Sequence, residues 1–472
     1  MPRRQGGCGA WGAARSGREV SPMKFCTAIA VCSLLFFLVP LTTCCQAQPA
    51  VTELFPANQS ANVCSDTPLR LVFNESVVVG DRGRIAVYRA ADHKPADALD
   101  LGGAGFTNSF GGKLLRYDAI RITGNVASVT LHSHALNPGE KYYVTIEPGV
   151  FRSGSGQEFG GFTNDAAWQF ATRPALPKGR TRLIVAADGT GDFCTPQGAV
   201  DYVPDDNQSA VEIFVRKGVY EGMVCIASDK NRIHFIGEDR RGAIIAGRNN
   251  DRFNPGRSGR ALVSVEANDF VLENMTVRNT TPYGGSQAEA LRVKGDRCVL
   301  RNDDFLSFQD TLLLSGSVYA TNCHVEGDVD FIWGQGGAFF DRCELEAVHN
   351  GYYLQARNEE GRGGYVFAGC KLTSAPGVTK CLLARIDAER FPYSQAVFIN
   401  CRMGAHVPPA GWEIKGTNLS RLFFAEYHST DLQGKPLDVT RRHPASRQLK
   451  ENEAAELADP AKVLSPHQFW NP

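Results

Sequence analysis

At 472 residues the chain is too long for one ordinary domain and long enough for two or three, each burying a core of its own. Lys plus Arg and Asp plus Glu are both 50, so no overall field draws it to nucleic acid or to an anionic membrane. With 48 glycines, and with Phe, Val, Ile and Thr spread among few long Ala, Leu, Glu and Lys stretches, an all-β protein of short strands is expected.

Residues 1–47 read as a secretory signal region and not as fold. Arg3 and Arg4 open a Gly-rich lead, Met23-Lys24 precedes an apolar run from Ala28 to Leu41, and the run ends in Thr-Thr-Cys-Cys-Gln-Ala-Gln. That run is too short to span a bilayer. Cleavage after Ala47 and export follow, to the periplasm, the cell surface or the medium, with Met23 as an alternative start to Met1. A lipid anchor at Cys44 is the competing reading, although Thr43 is a poor residue before such a cut. Nine cysteines lie beyond the signal, at 64, 194, 225, 298, 323, 343, 370, 381 and 401. An odd number cannot all pair within one chain, and no C-x-x-C or C-x-x-H cluster suggests zinc. Since they recur inside strand-like segments, they are expected as buried small hydrophobes.

Residues 48–174 alternate in short segments, Leu69-Arg-Leu-Val-Phe, Ile85-Ala-Val-Tyr, Val126-Ala-Ser-Val-Thr-Leu and Tyr142-Tyr-Val-Thr-Ile, separated by Gly, Asn, Asp and Pro turns. That is the pattern of a β-sandwich. Pro138-Gly-Glu-Lys-Tyr-Tyr-Val-Thr-Ile and then Ala167-Trp-Gln-Phe-Ala-Thr resemble the closing strands of bacterial Ig-like domains. His132 and His134 stand two apart, but with no third ligand in view they read as surface or edge histidines and not as half a metal site.

A Pro- and Gly-bearing linker, residues 175–181, leads into a second domain, 182–472. Here a small motif recurs: Asn274-Met275, Asn302-Asp303, Asn322-Cys323, Arg342-Cys343, Gly369-Cys370 and Asn400-Cys401, at separations of 28, 20, 20, 27 and 31. Self-similarity in the twenties with variable insertions indicates a solenoid in which each coil buries one residue of a stack while insertions become loops. Strand-forming composition makes it a right-handed parallel β-helix. A leucine-rich repeat would show regular Leu spacing and a helix per repeat, and neither is present. Thr195-Pro-Gln-Gly-Ala-Val-Asp-Tyr-Val reads as a short amphipathic helix, capped by Thr195 with Pro196 at its first position, that covers the open end of the solenoid.

Asp310 lies seven residues after ladder position Asp303, and Asp330 seven after ladder position Cys323. Equal offset in successive coils puts both on one face, and neighbouring parallel strands lie about 4.8 Å apart. Gln309 precedes Asp310, Gln287 lies 23 residues upstream, and Arg385 lies two coils beyond Asp330. Two nearby carboxylates do not ionise equally. Asp330, paired with Arg385, is expected as the ionised nucleophile; Asp310, in the less compensated position, as the general acid and then base. The glutamines offer neutral amide donors for an oxyanion. The plainer alternative, in which the two aspartates only terminate strands beside a polar Gln stack, suits one Asp better than two in phase.

Gly189-Thr-Gly-Asp-Phe, Gln287-Ala-Glu-Ala-Leu, Phe308-Gln-Asp-Thr-Leu and Asp330-Phe-Ile-Trp-Gly resemble, in order and spacing, the GxGxF/Y, QAVAL, YQDTL and DFIFG motifs of the pectin methylesterases. The resemblance covers residues from about 182 to 472 and implies the acid/base role for Asp310, the nucleophile role for Asp330 and an oxyanion hole of Gln287 and Gln309. It also implies pectin as the binding partner. The family's LGRPW reads Leu383-Ala-Arg-Ile-Asp here, which keeps Arg385 and puts Asp387 where an aromatic is expected. Trp333 would then supply some of the stacking surface, with Tyr220, Gln355 and Trp412 as further substrate contacts; for Trp412 a packing role is the alternative. No metal or organic cofactor is called for, and a monomer is expected, with no partner identifiable for the Ig-like domain. Gly334-Gln-Gly-Gly lacks the Lys-Ser/Thr of a phosphate loop, and no G-x-S-x-G supports a serine esterase. A pectate lyase, a thioester-cleaving relative and a non-catalytic uronate-binding β-helix remain as competing functions.

Overall fold

The computed structural model describes residues 48–464; the signal region and the possible anchor at Cys44 lie outside the described residues. A sandwich occupies residues 51–172. Its four-stranded sheet runs Val51–Phe55, Leu69–Phe73, Val126–Val129, Ile120–Thr123. Its five-stranded sheet runs Ser60–Val63, Gln169–Thr172, Lys141–Ile146, Arg84–Arg89, Pro95–Asp100. Alternation decides which side chains meet: Leu69, Leu71 and Phe73 face inward on one sheet while Arg70 and Val72 stay partly exposed. Trp168 fills the sandwich core and donates its indole N–H to the Pro56 carbonyl at 2.8 Å.

From Arg182 onward the chain winds as a parallel β-helix. One wall is an 11-stranded parallel sheet that begins at Arg182–Val185 and ends at Arg447–Gln448. The other two walls merge into one 15-stranded sheet, because the long strand His324–Gly334 pairs first with Asp304–Leu306 and then with Leu312–Leu314. The recurring motif has a conformational cause. Asn274, Asn302, Asn322, Arg342, Gly369 and Asn400 all have left-handed backbones, with φ from 51° to 62°. That region suits Gly and Asn and turns the chain from one wall to the next. The residues that follow them, Met275, Asp303, Cys323, Cys343, Cys370 and Cys401, are all buried in one stack. All nine described cysteines are buried free thiols.

The helix Pro196–Tyr202 closes the N-terminal end. Thr195 Oγ1 accepts from the Gly198 N–H at 3.0 Å, and Asp66 of the sandwich accepts from the Cys194 and Thr195 N–H groups at 3.0 and 2.8 Å. The two domains meet again along the flank, where the hairpin of strands Phe106–Phe110 and Lys113–Tyr117 lies against residues 249–261. Its turn residue Gly111, at φ 52°, comes so near the Cys225 carbonyl that a Cβ would stand 2.7 Å away, so only glycine fits. His132 binds Asp97 at 2.6 Å within the sandwich, and His134 is exposed.

Candidate active site

Parallel pairing matches Leu312 to Ile332, an offset of 20, which brings Asp310 level with Asp330 on the adjacent coil. Both residues just precede that pairing, and both have left-handed backbones, with φ of 69° and 52°. Such a conformation in a non-glycine residue is costly and is retained where the surroundings enforce it. The Asp310 N–H donates to the Val329 carbonyl at 3.2 Å and the Ala288 N–H to the Gln309 carbonyl at 3.1 Å, so three coils are stitched together at the site. Gln287, the Gln309–Asp310 pair and Asp330 thereby lie on three adjacent coils.

The carboxylates are held by different arginines. Arg385 donates through Nε to both Asp330 oxygens at 2.8 and 3.0 Å and through Nη2 to Oδ2. Arg260 donates through Nη2 to Asp310 at 2.7 Å. Sequence reasoning did not identify Arg260 as the partner of Asp310. Its guanidinium is, however, shared with Glu289, at 2.8 to 3.0 Å, and with Asp251 at 3.2 Å. Burial therefore pushes the Asp310 pKa well above the usual carboxylate range, and the charges of Glu289 and Asp330 add to it while Arg260 and Arg357 oppose it. Burial also raises Asp330, against the opposing charges of Arg385 and Arg357. Both carboxyls are raised by burial, and Asp310 is the one whose arginine is already occupied.

Among the described residues neither glutamine's amide nitrogen has a hydrogen-bond partner: Gln287 only accepts, from Ser286 Oγ at 3.2 Å, and Gln309 has no side-chain bond. Both amides are thus free to donate to a developing oxyanion. Gln355, paired in register with Trp333, accepts from Arg357 at 2.7 Å and so lies beside the site.

The expected aromatic contacts are placed differently. Trp333 is 2% exposed, and the guanidiniums of Arg357, Arg257 and Arg260 lie over its ring at 4.7, 5.3 and 5.4 Å. It offers no open face to a sugar. Trp412 is buried against Phe424 and Phe398, at 5.2 and 5.7 Å between ring centres, which is a packing role. Tyr220 is buried at the junction of the two domains, its hydroxyl donating to the Arg216 carbonyl at 2.7 Å, and lines a cavity of about 460 Å³ there with Asp66, Arg70 and His132. The cavity is not the cleft. Asp387 pairs in register with Lys415 and accepts from the Arg390 N–H at 3.2 Å.

An aromatic wall that sequence reasoning missed stands next to Gln309. Tyr283, 62% exposed, stacks on His349 at 3.9 Å, and Phe308 lies 5.6 Å from each. Phe308 was visible in the Phe-Gln-Asp motif; Tyr283 and His349 had no signal. Arg257, Arg357 and Arg390 form no ion pair among the described residues, and Arg357 feels the charge of both catalytic candidates.

Comparison with known proteins gives a consistent assignment. A family model described as Pectinesterase matches residues 182–459, and one described as Bacterial Ig-like domain matches residues 46–172. Pectinesterase 31 of Arabidopsis thaliana is 32% identical over 308 residues, covering 62% of this chain and 93% of that protein. The solved pectin methylesterase from carrot superposes with a TM-score of 0.56 at 24% identity, over 62% of this chain and 95% of the other. A pectin methylesterase solved with a hexasaccharide gives 0.52 at 25% identity, over 63% of this chain and all of the other.

Proposed function

This chain belongs to the pectinesterase family of carboxylic ester hydrolases, and from that premise we propose that it cleaves the C6 methyl esters of galacturonate units in pectin, with Asp330 as nucleophile and Asp310 as acid and base. The observation that carries the assignment of roles is the unequal support of two adjacent carboxylates. Asp330 has Arg385 bound side-on to both oxygens, which favours the anion. Asp310 shares an arginine that Glu289 already neutralises, which favours the acid.

In the first step an Asp330 oxygen attacks the ester carbonyl and the carbonyl oxygen takes up charge. Gln287 and Gln309 donate to that oxygen. As the tetrahedral species collapses, Asp310 gives its proton to the departing methoxy oxygen and methanol leaves. Water then attacks the acyl-enzyme, Asp310 takes its proton, and the free galacturonate and Asp330 are released. Carboxylates and amides supply every role in this sequence. Arg257, Arg357 and Arg390, which form no ion pair among the described residues, match a polymer that carries free carboxylates between its esters. We also propose that the protein is exported, which the apolar run 28–41 and its basic flank support.

The assignment is tested by offering the enzyme methylated pectin, a de-esterified pectate and an acyl thioester. Methanol from the first, with no unsaturated product from the second and no turnover of the third, is the expected result. Absorbing unsaturated ends would instead identify a lyase, and thioester cleavage without methanol would reassign the substrate.

A further inference from the structure

The Ig-like domain touches the same loop that delivers Arg260. The loop of residues 249–261 has Asn249 buried at its start, and the Asn249 amide donates to the Gly259 and Ala261 carbonyls, both at 2.8 Å. These are the peptide neighbours of Arg260, so Asn249 fixes the backbone from which the guanidinium reaches Asp310. Asn254 donates to Asn249 Oδ1 at 2.9 Å and on its other side treats the hairpin as a strand partner: it accepts from the Arg116 N–H and donates to the Arg116 carbonyl, each at 2.9 Å. Lys113 of the same hairpin binds Glu266 at 2.7 Å and the Ser258 carbonyl at 3.4 Å, and a Cβ on Gly259 would lie 3.3 Å from Leu115. An unbroken chain of contacts thus runs from the hairpin main chain through Asn254 and Asn249 to Arg260 and Asp310.

We propose that the Ig-like domain is a working part of the active site, its 106–117 hairpin holding the 249–261 loop so that Arg260 stays on Asp310. The inference rests on Asp310 being the acid and base. Asn254, Lys113 and Arg260 are positioning residues in this arrangement, since none of them meets the ester. Asp310 faces Arg260 and Glu289 from the coils below, with Asp251 on the far side of Arg260, and Asp330, Arg357 and, through Asp330, Arg385 from the coils above. Withdrawing Arg260 removes one of the two cations near Asp310, so its protonated form persists to higher pH.

The test compares Lys113→Met, Lys113→Arg, Asn254→Ala and Arg173→Ala in the full chain, reading methanol release from methylated pectin against pH. Lys113→Met and Asn254→Ala should lower kcat about tenfold at unchanged KM, an effect typical of a displaced positioning group. They should also move the alkaline limb of the profile upward, and Lys113→Arg should restore it. Arg173, at the end of the Ig-like domain, donates to the Gly191 carbonyl at 2.7 Å, away from the loop, and its removal should leave the profile in place. Lys113 is partly exposed, so its variant is expected to fold should Asn254→Ala fail to. Wild-type kcat and profile in folded Lys113→Met, or an equal shift in Arg173→Ala, would overturn the proposal. Full activity of Asp310→Asn would instead remove the reading on which it rests.

Discussion

Arg260 lies two coils below Asp310 and Arg385 two coils above Asp330, so the catalytic pair is gripped from opposite ends of the stack. The pairings Val263 to Leu291 to Leu312 set the first interval, and Ile332 to Leu354 to Ala384 the second. The two grips are unequal, since Glu289 and Asp251 compete for Arg260 whereas Arg385 binds Asp330 through both oxygens.

Removing Arg385 tests the upper grip. Its charge opposes the burial that raises Asp330, so Arg385→Ala raises that pKa further and the nucleophile is protonated over a wider acid range. The acidic limb of kcat/KM against pH should move upward, each unit costing about tenfold in rate on that side. An unmoved acidic limb would mean that Arg385 does not govern the ionisation of Asp330.

Glu289 tests the lower grip in the opposite direction. Its charge raises Asp310, so Glu289→Gln lowers that pKa and brings the alkaline limb to lower pH. Arg260, freed from its strongest competitor, reinforces the shift. A pH profile of methanol release with an unchanged alkaline limb would show that the buried pair is structural only.

The glutamine amides are expected to act on the transition state alone. Gln287→Ala and Gln309→Ala should each reduce kcat about a hundredfold, the usual effect of losing one oxyanion donor, with KM little changed. A rise in KM at constant kcat would place them in ground-state binding instead.

Stability should carry the signature of Glu266, which lies between Lys113 of the hairpin and Arg292 of the β-helix. Burial raises its pKa, but the two cations prevail and hold it at about 2 against an ordinary 4.5. A depressed folded-state pKa stabilises the protein above the unfolded value and loses that effect as pH falls through the folded one. Glu266→Gln should therefore unfold at lower temperature near neutrality, by about 1 kcal/mol. The difference from wild type should shrink between pH 4.5 and 2. Denaturation scans at several pH values check this.

Much of the site could be read before the structure because its signals are local. A left-handed turn favours Asn or Gly, so the ladder Asn274, Asn302, Asn322, Gly369 and Asn400, with Arg342 as its one exception, marks each coil and fixes the phase of Asp310 and Asp330. Thr195 and Pro196 announce the capping helix in the same way. Arg260 carried no such mark. It sits 50 residues from Asp310 in a loop without a motif, and only the fold brings them together. Glu289 was visible as the odd residue of Gln-Ala-Glu-Ala-Leu, yet a charge inside a strand says nothing about its partner. Trp333 misled, and Trp412 was left open between cleft and packing, because an aromatic in a motif does not reveal whether its ring faces the cleft or the neighbouring coil.

The central claim is that two aspartates on adjacent coils perform the hydrolysis. Methanol release from methylated pectin by wild type, Asp310→Asn and Asp330→Asn, at matched concentrations of folded protein, tests it most directly. Loss of activity in both variants, by at least about a hundredfold for Asp310→Asn and more for the nucleophile, is the predicted result. Wild-type rates in either would contradict it.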